Sequence, residues 1–238
     1  MKTTAVKANN NFDEAYFNQR GLNMQAVFNL SDLPQDVLQS LGGSESLLLY
    51  RQLILIAHGG RDMWRCLQAS GMKTENPVDD FSVSTVNSFF TQNFPNSKYE
   101  LRYPDDRPIG LQRLGDLAGW HHASPMKVGI NSQWGSWYAY RAVVLADTHF
   151  TETKKMKSGS PCDTCLSKDC VKSCPAGALA NSEFSLNTCV EYRKRIDSVC
   201  RNQCVARIRC PVAVEHRYTE EQIHYHYSVS MKTIEQYY

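Results

Sequence analysis

The hydrophobic pattern is clearest in the first 150 residues. Residues 47–57 (LLLYRQLILIA) form a long apolar run that stops at His58-Gly59-Gly60. The Gly-Gly stop and the Ile-Leu-Ile stretch predict a buried strand over the second half of that run. Residues 61–70 then read as a helix closed by Gly71 as its C-cap. Residues 80–92 set Val83, Val86, Phe89 and Phe90 at helical spacing, with Asp80 or Ser82 as the N-cap. Residues 109–120 repeat the device with Leu111, Leu114, Leu117 and Ala118, and 137–145 (WYAYRAVVL) have the β-branched and aromatic content of a strand. Helices and strands alternate, so a mixed α/β segment is expected over 1–150.

Beyond 150 the pattern changes. Residues 151–160 (TETKKMKSGS) are polar and basic, as in a linker or surface loop, and no repeat of fixed period runs through the chain. A cysteine array follows, then a polar tail over 218–238 rich in Tyr and His. His224 and His226, two apart, would share one face of a strand and bind metal there. A helical or extended tail packing its aromatics on the core, or on a second subunit as a homodimer, is the favoured reading. Two domains are expected, 1–150 and 151–238.

The chain has 238 residues, with 42% hydrophobic and 21% charged, which excludes a disordered or low-complexity protein. A net charge of +2 argues against a general binder of polyanions, so nucleic acid is not an expected partner. No run approaches the length of about 18 apolar residues that a membrane-spanning helix needs. Residues 1–11 are polar and Asn-rich without an apolar core, so no secretory signal is read there and a cytoplasmic location is expected.

The cysteines depart from this ordinary picture. There are nine, and eight fall between Cys162 and Cys210. The first group is Cys162-x2-Cys165-x4-Cys170-x3-Cys174-Pro175; the second is Cys189, Cys200-x3-Cys204 and Cys210-Pro211. Thiolates closely spaced on short loops can wrap one metal centre at low chain-entropy cost. Two-cluster bacterial ferredoxins take three cysteines of such a run for one cubane, while the fourth, ahead of Pro, ligates the other. Applied here, Cys162, Cys165, Cys170 and Cys210 would hold one [4Fe–4S] cluster, and Cys174, Cys189, Cys200 and Cys204 a second. Zinc and disulfides are the rival readings. Zinc favours paired CxxC knuckles, and only Cys162/Cys165 has that spacing; disulfides need an oxidising compartment and leave one of nine unpaired. Residues 154–209 hold eleven Lys or Arg against five Asp or Glu, a formal +6. Two oxidised cubanes with their thiolates, at about −2 each, would bring that stretch near neutrality. Cys66 stands apart on the 61–70 helix and reads as a buried, inert thiol.

Residues 130–137 (INSQWGSW) resemble the Ile-Asn-x-x-aromatic-Gly-Ser-Trp segment of epoxyqueuosine reductases, and 114–120 (LGDLAGW) resemble the helix ending in Gly-Trp ahead of it. The likeness covers about 104–215 and is most specific over 130–211. More distantly, the chain is similar to corrinoid-dependent reductive dehalogenases. The resemblance implies an α+β protein: a nitroreductase-like α/β domain that places cobalamin, then a small ferredoxin-like dicluster domain that delivers electrons. The chain departs from that pattern in the four residues between Cys165 and Cys170, in the wider closing group, and in His121-His122-Ala123-Ser124-Pro125 after the Gly-Trp. It is also short and lacks the helical-repeat extension by which many of these reductases hold tRNA, so queuosine chemistry is not expected.

Near the implied pocket, His121 and His122 are candidate proton donors or cobalt ligands, against a reading as surface or capping residues on a turn. Asp105 and Asp106 lie near where the related reductases carry a catalytic acid, although Asp-Asp-Arg-Pro is equally a turn sequence. Gly135, Ser136 and Trp137 could line a flat macrocycle, Gly by close backbone approach and Trp by stacking, or else form a turn with an aromatic core residue. His58-Gly59-Gly60 is read as a structural break. The expected function is that of an iron–sulfur redox protein with a ferredoxin- or flavodoxin-type partner and a small-molecule or corrinoid ligand. A cobalamin-dependent reductase and a redox-sensing or partner-binding module are the alternatives.

Overall fold

A computed structural model describes residues 11–105, 107–180 and 183–238. Asp106 and all but the last residue of the polar 1–11 segment lie outside them. Along the chain run α1 (Glu14–Asn18), β1 (Met24–Asn29), α2 (Gln35–Ser40), α3 (Ser44–Leu47), β2 (Gln52–Gly59), α4 (Asp62–Ser70), α5 (Pro77–Asn93) and β3 (Tyr99–Tyr103). Next come α6 (Leu111–Ala118), β4 (His122–Ala123), β5 (Gly129–Ile130), β6 (Tyr138–Ala146), α7 (Asp169–Lys172), α8 (Leu186–Lys194), α9 (Val205–Ile208) and α10 (Glu220–Tyr237). The protein is therefore α+β.

The second half of the apolar run over 47–57 becomes β2, every residue of which is buried, while Leu48 and Leu49 ahead of it are exposed. It lies second in a four-stranded sheet of order β1-β2-β6-β3, with β1 antiparallel to β2 and β3 antiparallel to β6. Strands buried this completely read as continuous apolar runs because both faces are covered. Gly71, at φ +67°, ends α4 as expected. The α5 helix begins earlier than its hydrophobic spacing suggested, at Pro77, where the missing N–H of proline costs nothing. Ser82 is consequently no cap. It sits inside the helix and donates to the Val78 carbonyl at 2.9 Å, and Thr85 does the same to Phe81 at 2.8 Å. Those bonds let both hydroxyls be buried.

The chain forms two compact units. One comprises residues 1–58, 66–114 and 140–154 and contains most of the sheet. Its core is aromatic: Phe17, Phe89 and Phe90 are almost wholly buried, and Phe89 meets Phe17 at 4.8 Å between centroids. Burial of each such ring stabilises by about 1.5–3 kcal/mol. The other unit comprises 59–65, 115–139 and 155–238 and contains all eight clustered cysteines. Within it Gly119, at φ +78°, ends α6, and the Trp120 N–H returns to the Gly115 carbonyl at 2.8 Å. Residues 151–160 carry no regular structure and are mostly exposed, and the tail is the α10 helix rather than a strand. His224 and His226 thus lie on different faces of a helix and not along one strand face.

Candidate metal centre

The cysteines of the second unit sit on short helices joined by irregular loops. Cys170 lies in α7, Cys189 in α8, Cys204 at the N-cap position of α9 and Cys210 two residues past its end. Helices of one turn reverse the chain often enough to bring distant thiols to one place. Cys170 and Cys210 are buried with Ala206, Leu179, Met126 and Ile130, and Cys162, Cys174 and Cys204 pack against the same group. All nine cysteines of the chain are free thiols. Among the described residues no three His, Cys, Asp or Glu side chains are gathered about a single metal ion.

The shifted thiols reinforce one another in two groups. Burial raises Cys162, Cys170 and Cys210 above the ordinary thiol value. The thiols that add to those shifts are Cys210 and Cys165 for Cys162, Cys210, Cys162 and Cys165 for Cys170, and Cys165 for Cys210. Burial likewise pushes Cys189 up to about 11 and raises Cys200. Here the reinforcing neighbours are Cys204, Cys174 and Cys200 for Cys189, and Cys204 and Cys174 for Cys200. Cys174 and Cys204 of the second group also pack against the cluster that holds Cys170 and Cys210 of the first. Like charges close together disfavour ionisation, so each set is a cluster of acids that a cation would relieve. Cys165 differs: a backbone hydrogen bond from Lys168 lowers it, with the Ser167 hydroxyl helping.

Cys174, Cys189, Cys200 and Cys204 also line one cavity of about 340 Å3. Its walls are mainly apolar, including Met126, Val128, Leu179 and Phe184, and they are joined by Arg193, Arg207 and Tyr227. Four soft sulfur donors on apolar walls, with guanidinium groups close by, suit an anionic iron–sulfur cubane, which is wider than a single ion. Arg193 is buried, and its donors reach the carbonyls of Cys200, Arg201 and Tyr227 and the Ser230 hydroxyl. Arg193 and Arg207 did not stand out in the sequence. Their signals were present: Arg193 lies one helical turn beyond Cys189, and Arg207 lies between Cys204 and Cys210.

The remaining candidates are placed as follows. Trp137 is fully buried, with the Arg207 guanidinium 4.5 Å from its ring centroid and Tyr218 against it edge-on. Ser136 is buried, and its carbonyl accepts from Arg207. Gly135 adopts φ +58°, and a side chain there would meet the Val212 carbonyl at 2.5 Å. His122 opens the short antiparallel β4–β5 ladder by pairing with Ile130, and His121 lies just ahead of it, so neither sits on a turn. The His122 Nε2 is 3.1 Å from the Ser158 hydroxyl. Burial lowers His121, Asp116 opposes the shift, and the His121 Nδ1 has no hydrogen-bond partner among the described residues. Asp105 pairs with Arg107 at 2.8 Å on the surface. His58 is buried, its Nε2 3.3 Å from the Arg141 guanidinium. A side chain at Gly59 would strike the Trp134 indole at 2.2 Å, so that glycine is fixed by close approach. Cys66 is half-buried on α4, its Sγ 3.6 Å from the Gln19 carbonyl.

With this geometry in hand, the fold can be compared with known proteins. No family model and no curated protein sequence matches the chain. Among solved structures, epoxyqueuosine reductase from Streptococcus thermophilus is similar at 15% identity and a TM-score of 0.53, over 84% of this chain and 65% of that one. The Bacillus subtilis enzyme is similar at 14% identity and a TM-score of 0.55, over 87% and 65%. A reductive dehalogenase described as B12-dependent gives 12% identity and a TM-score of 0.55, over 99% of this chain and 36% of that one. The chain shares the fold of these proteins, and the resemblance read at 114–120 and 130–137 is borne out at that level. It spans just under two thirds of the length of those reductases and about a third of that dehalogenase. Among the described residues no helix is long and apolar enough to cross a membrane.

Proposed function

We propose that the chain is an iron–sulfur redox protein with two [4Fe–4S] clusters. Cys162, Cys165, Cys170 and Cys210 hold one; Cys174, Cys189, Cys200 and Cys204 hold the other. Bound clusters would supply one-electron transfer toward a ligand or cofactor carried by the α/β part of the chain, residues 1–150, with 151–238 bearing the clusters. The observation that carries this reading is that the shifted thiols reinforce one another in two groups, one of them lining a single cavity. The protein's own part is to present the thiolates, to exclude water with Met126, Val128, Leu179 and Phe184, and to balance charge with Arg193 and Arg207. Lys168 does so beside Cys162, whose carbonyl accepts from its ammonium. The basic stretch over 154–209 would attract an acidic ferredoxin- or flavodoxin-type partner in the cytoplasm. Anaerobically prepared protein should show the broad absorption of thiolate-to-iron charge transfer, bleached by dithionite, and an EPR signal from two interacting reduced clusters. A colourless, EPR-silent protein would refute the reading.

A second reading, a cobalamin-dependent reductase, is favoured by the fold shared with the B12-dependent dehalogenase. In it the His121 ring, with its spare Nδ1, is the candidate proton donor or cobalt ligand. Titrating iron-loaded protein with cob(II)alamin should then change the corrin absorption bands at stoichiometric addition. Unchanged bands would remove the corrinoid and leave the cluster reading intact.

A further inference from the structure

Arg207 lines the cavity of the second thiol set and stands three residues before Cys210 of the first. It lies on α9, whose ends carry Cys204 and, two residues on, Cys210. Its Nε donates to the Ser136 hydroxyl at 3.4 Å, and its Nη2 donates to the Ser136 carbonyl. The guanidinium rests 4.5 Å from the Trp137 ring centroid and 5.3 Å from that of Tyr218. Tyr227 lines the same cavity as Arg207 and Cys204. On the other side, Arg207 and Arg217 oppose the rise that burial imposes on Cys210. Among the described residues no carboxylate pairs with Arg207. Its partners are the carbonyl and hydroxyl of Ser136 and two aromatic faces, which orient a cation but do not neutralise it. Arg207 is partly buried, and a charge partly withdrawn from water is relieved by an opposite charge nearby. Here the nearest source of negative charge is the thiols themselves, once they are ionised and loaded.

We propose that Arg207 is a cation shared by both clusters, a positioning residue that raises the reduction potential of each. This rests on the cluster reading above. An oxidised cubane with its four thiolates carries about −2 and reaches about −3 when one electron arrives from dithionite, which is oxidised in the same step. A fixed positive charge favours the more negative product, so it shifts the equilibrium toward reduction. Tyr227 differs in reach, because it lines the cavity of one thiol set only.

Potentiometric titration of the full-length holoprotein with dithionite, followed by EPR, tests this. In Arg207→Gln both reduction waves should fall by roughly tenfold in the reduction equilibrium, about 59 mV for a one-electron couple. In Arg207→Lys both should stay within roughly threefold of wild type, about half that shift. Tyr227→Phe should lower one wave and leave the other in place. The proposal is overturned if Arg207→Gln moves only one wave or neither, or if Arg207→Lys falls as far as Arg207→Gln. Should Arg207→Gln fail to load iron, Arg207→His reads the same charge within one protein, since its imidazole is charged near pH 5 and neutral near pH 8. Both waves should then fall as pH rises, beyond any change in wild type, and waves that track wild type across that range overturn the proposal. A wild-type protein that holds no iron refutes the cluster reading instead, and that outcome is seen before any variant is compared.

Discussion

The Arg193 Nε donates to the carbonyl of Cys200 at 3.1 Å, so a residue one turn beyond one thiol of the second set holds the backbone beside another. The same guanidinium reaches Ser230 at 2.9 Å and the Tyr227 carbonyl at 3.1 Å, which ties α8 to α10. Arginine suits this task because its planar fork offers five donors in fixed directions. Arg193→Ala removes four buried or part-buried hydrogen bonds and should lower stability by about 2–4 kcal/mol. Arg193→Lys keeps the charge but cannot span these acceptors, and should recover only part of the loss. Urea denaturation of the two variants against wild type checks the order.

Gly119 is set by a different constraint. Its φ of +78° favours glycine, and a Cβ there would lie 2.0 Å from the Met156 carbonyl oxygen. Backbone is the obstacle, so no side-chain rotation relieves it. Gly119→Ala should therefore destabilise by about 1–3 kcal/mol, read as a lower melting temperature. Gly71→Ala is the comparison: its φ is similarly positive, but nothing lies within 4 Å of the added methyl, and the cost should be smaller.

Much of this was legible in the sequence, and the reasons differ by element. The β2 strand, α4 with its Gly71 cap, and β6 announce themselves because burial on both faces or a positive-φ glycine leaves few other solutions. The start of α5 was misread because Ser82 looks like a cap and turns out to be a hydroxyl that bonds back to its own helix. His121-His122 was read as a turn because a two-residue strand carries no period. The proposed division of the thiols into two fours rests on Cys-Pro ends and loop lengths in the sequence. Arg193, Arg207 and Tyr227 do not stand out by themselves because their placement depends on tertiary structure: a helical turn, a short helix between two cysteines, and a tail whose packing no local pattern reveals.

The partition of ligands has its own consequence. Cys174→Ser removes a wall of the cavity lined by the second set and should reduce bound iron by about half, leaving one EPR-active cluster. Cys170→Ser should do the same through the other set. Iron analysis of the double variant decides whether the two losses are independent, in which case about no iron should remain.

The raised thiols also predict a pH dependence for protein stripped of metal. Each is an acid whose folded value lies above its unfolded one, so the folded state favours the protonated form. That contribution is fully present below the ordinary thiol value of 9.0 and is lost as pH rises through the folded value, which for Cys189 is about 11. The melting temperature of metal-free protein should thus fall between pH 9 and 11, and fall less in Cys189→Ser. Equal slopes for the two proteins would contradict the assignment. Metal binding needs thiolate, so iron loading should in turn accelerate as pH rises toward that window.

The central claim is that eight cysteines grip two cubanes. Iron and acid-labile sulfide, quantified per chain on protein prepared without oxygen, test it most directly. About eight iron and eight sulfide atoms per chain are expected. Stoichiometric zinc with no sulfide, or fewer than about four irons per chain after reconstitution, would contradict it.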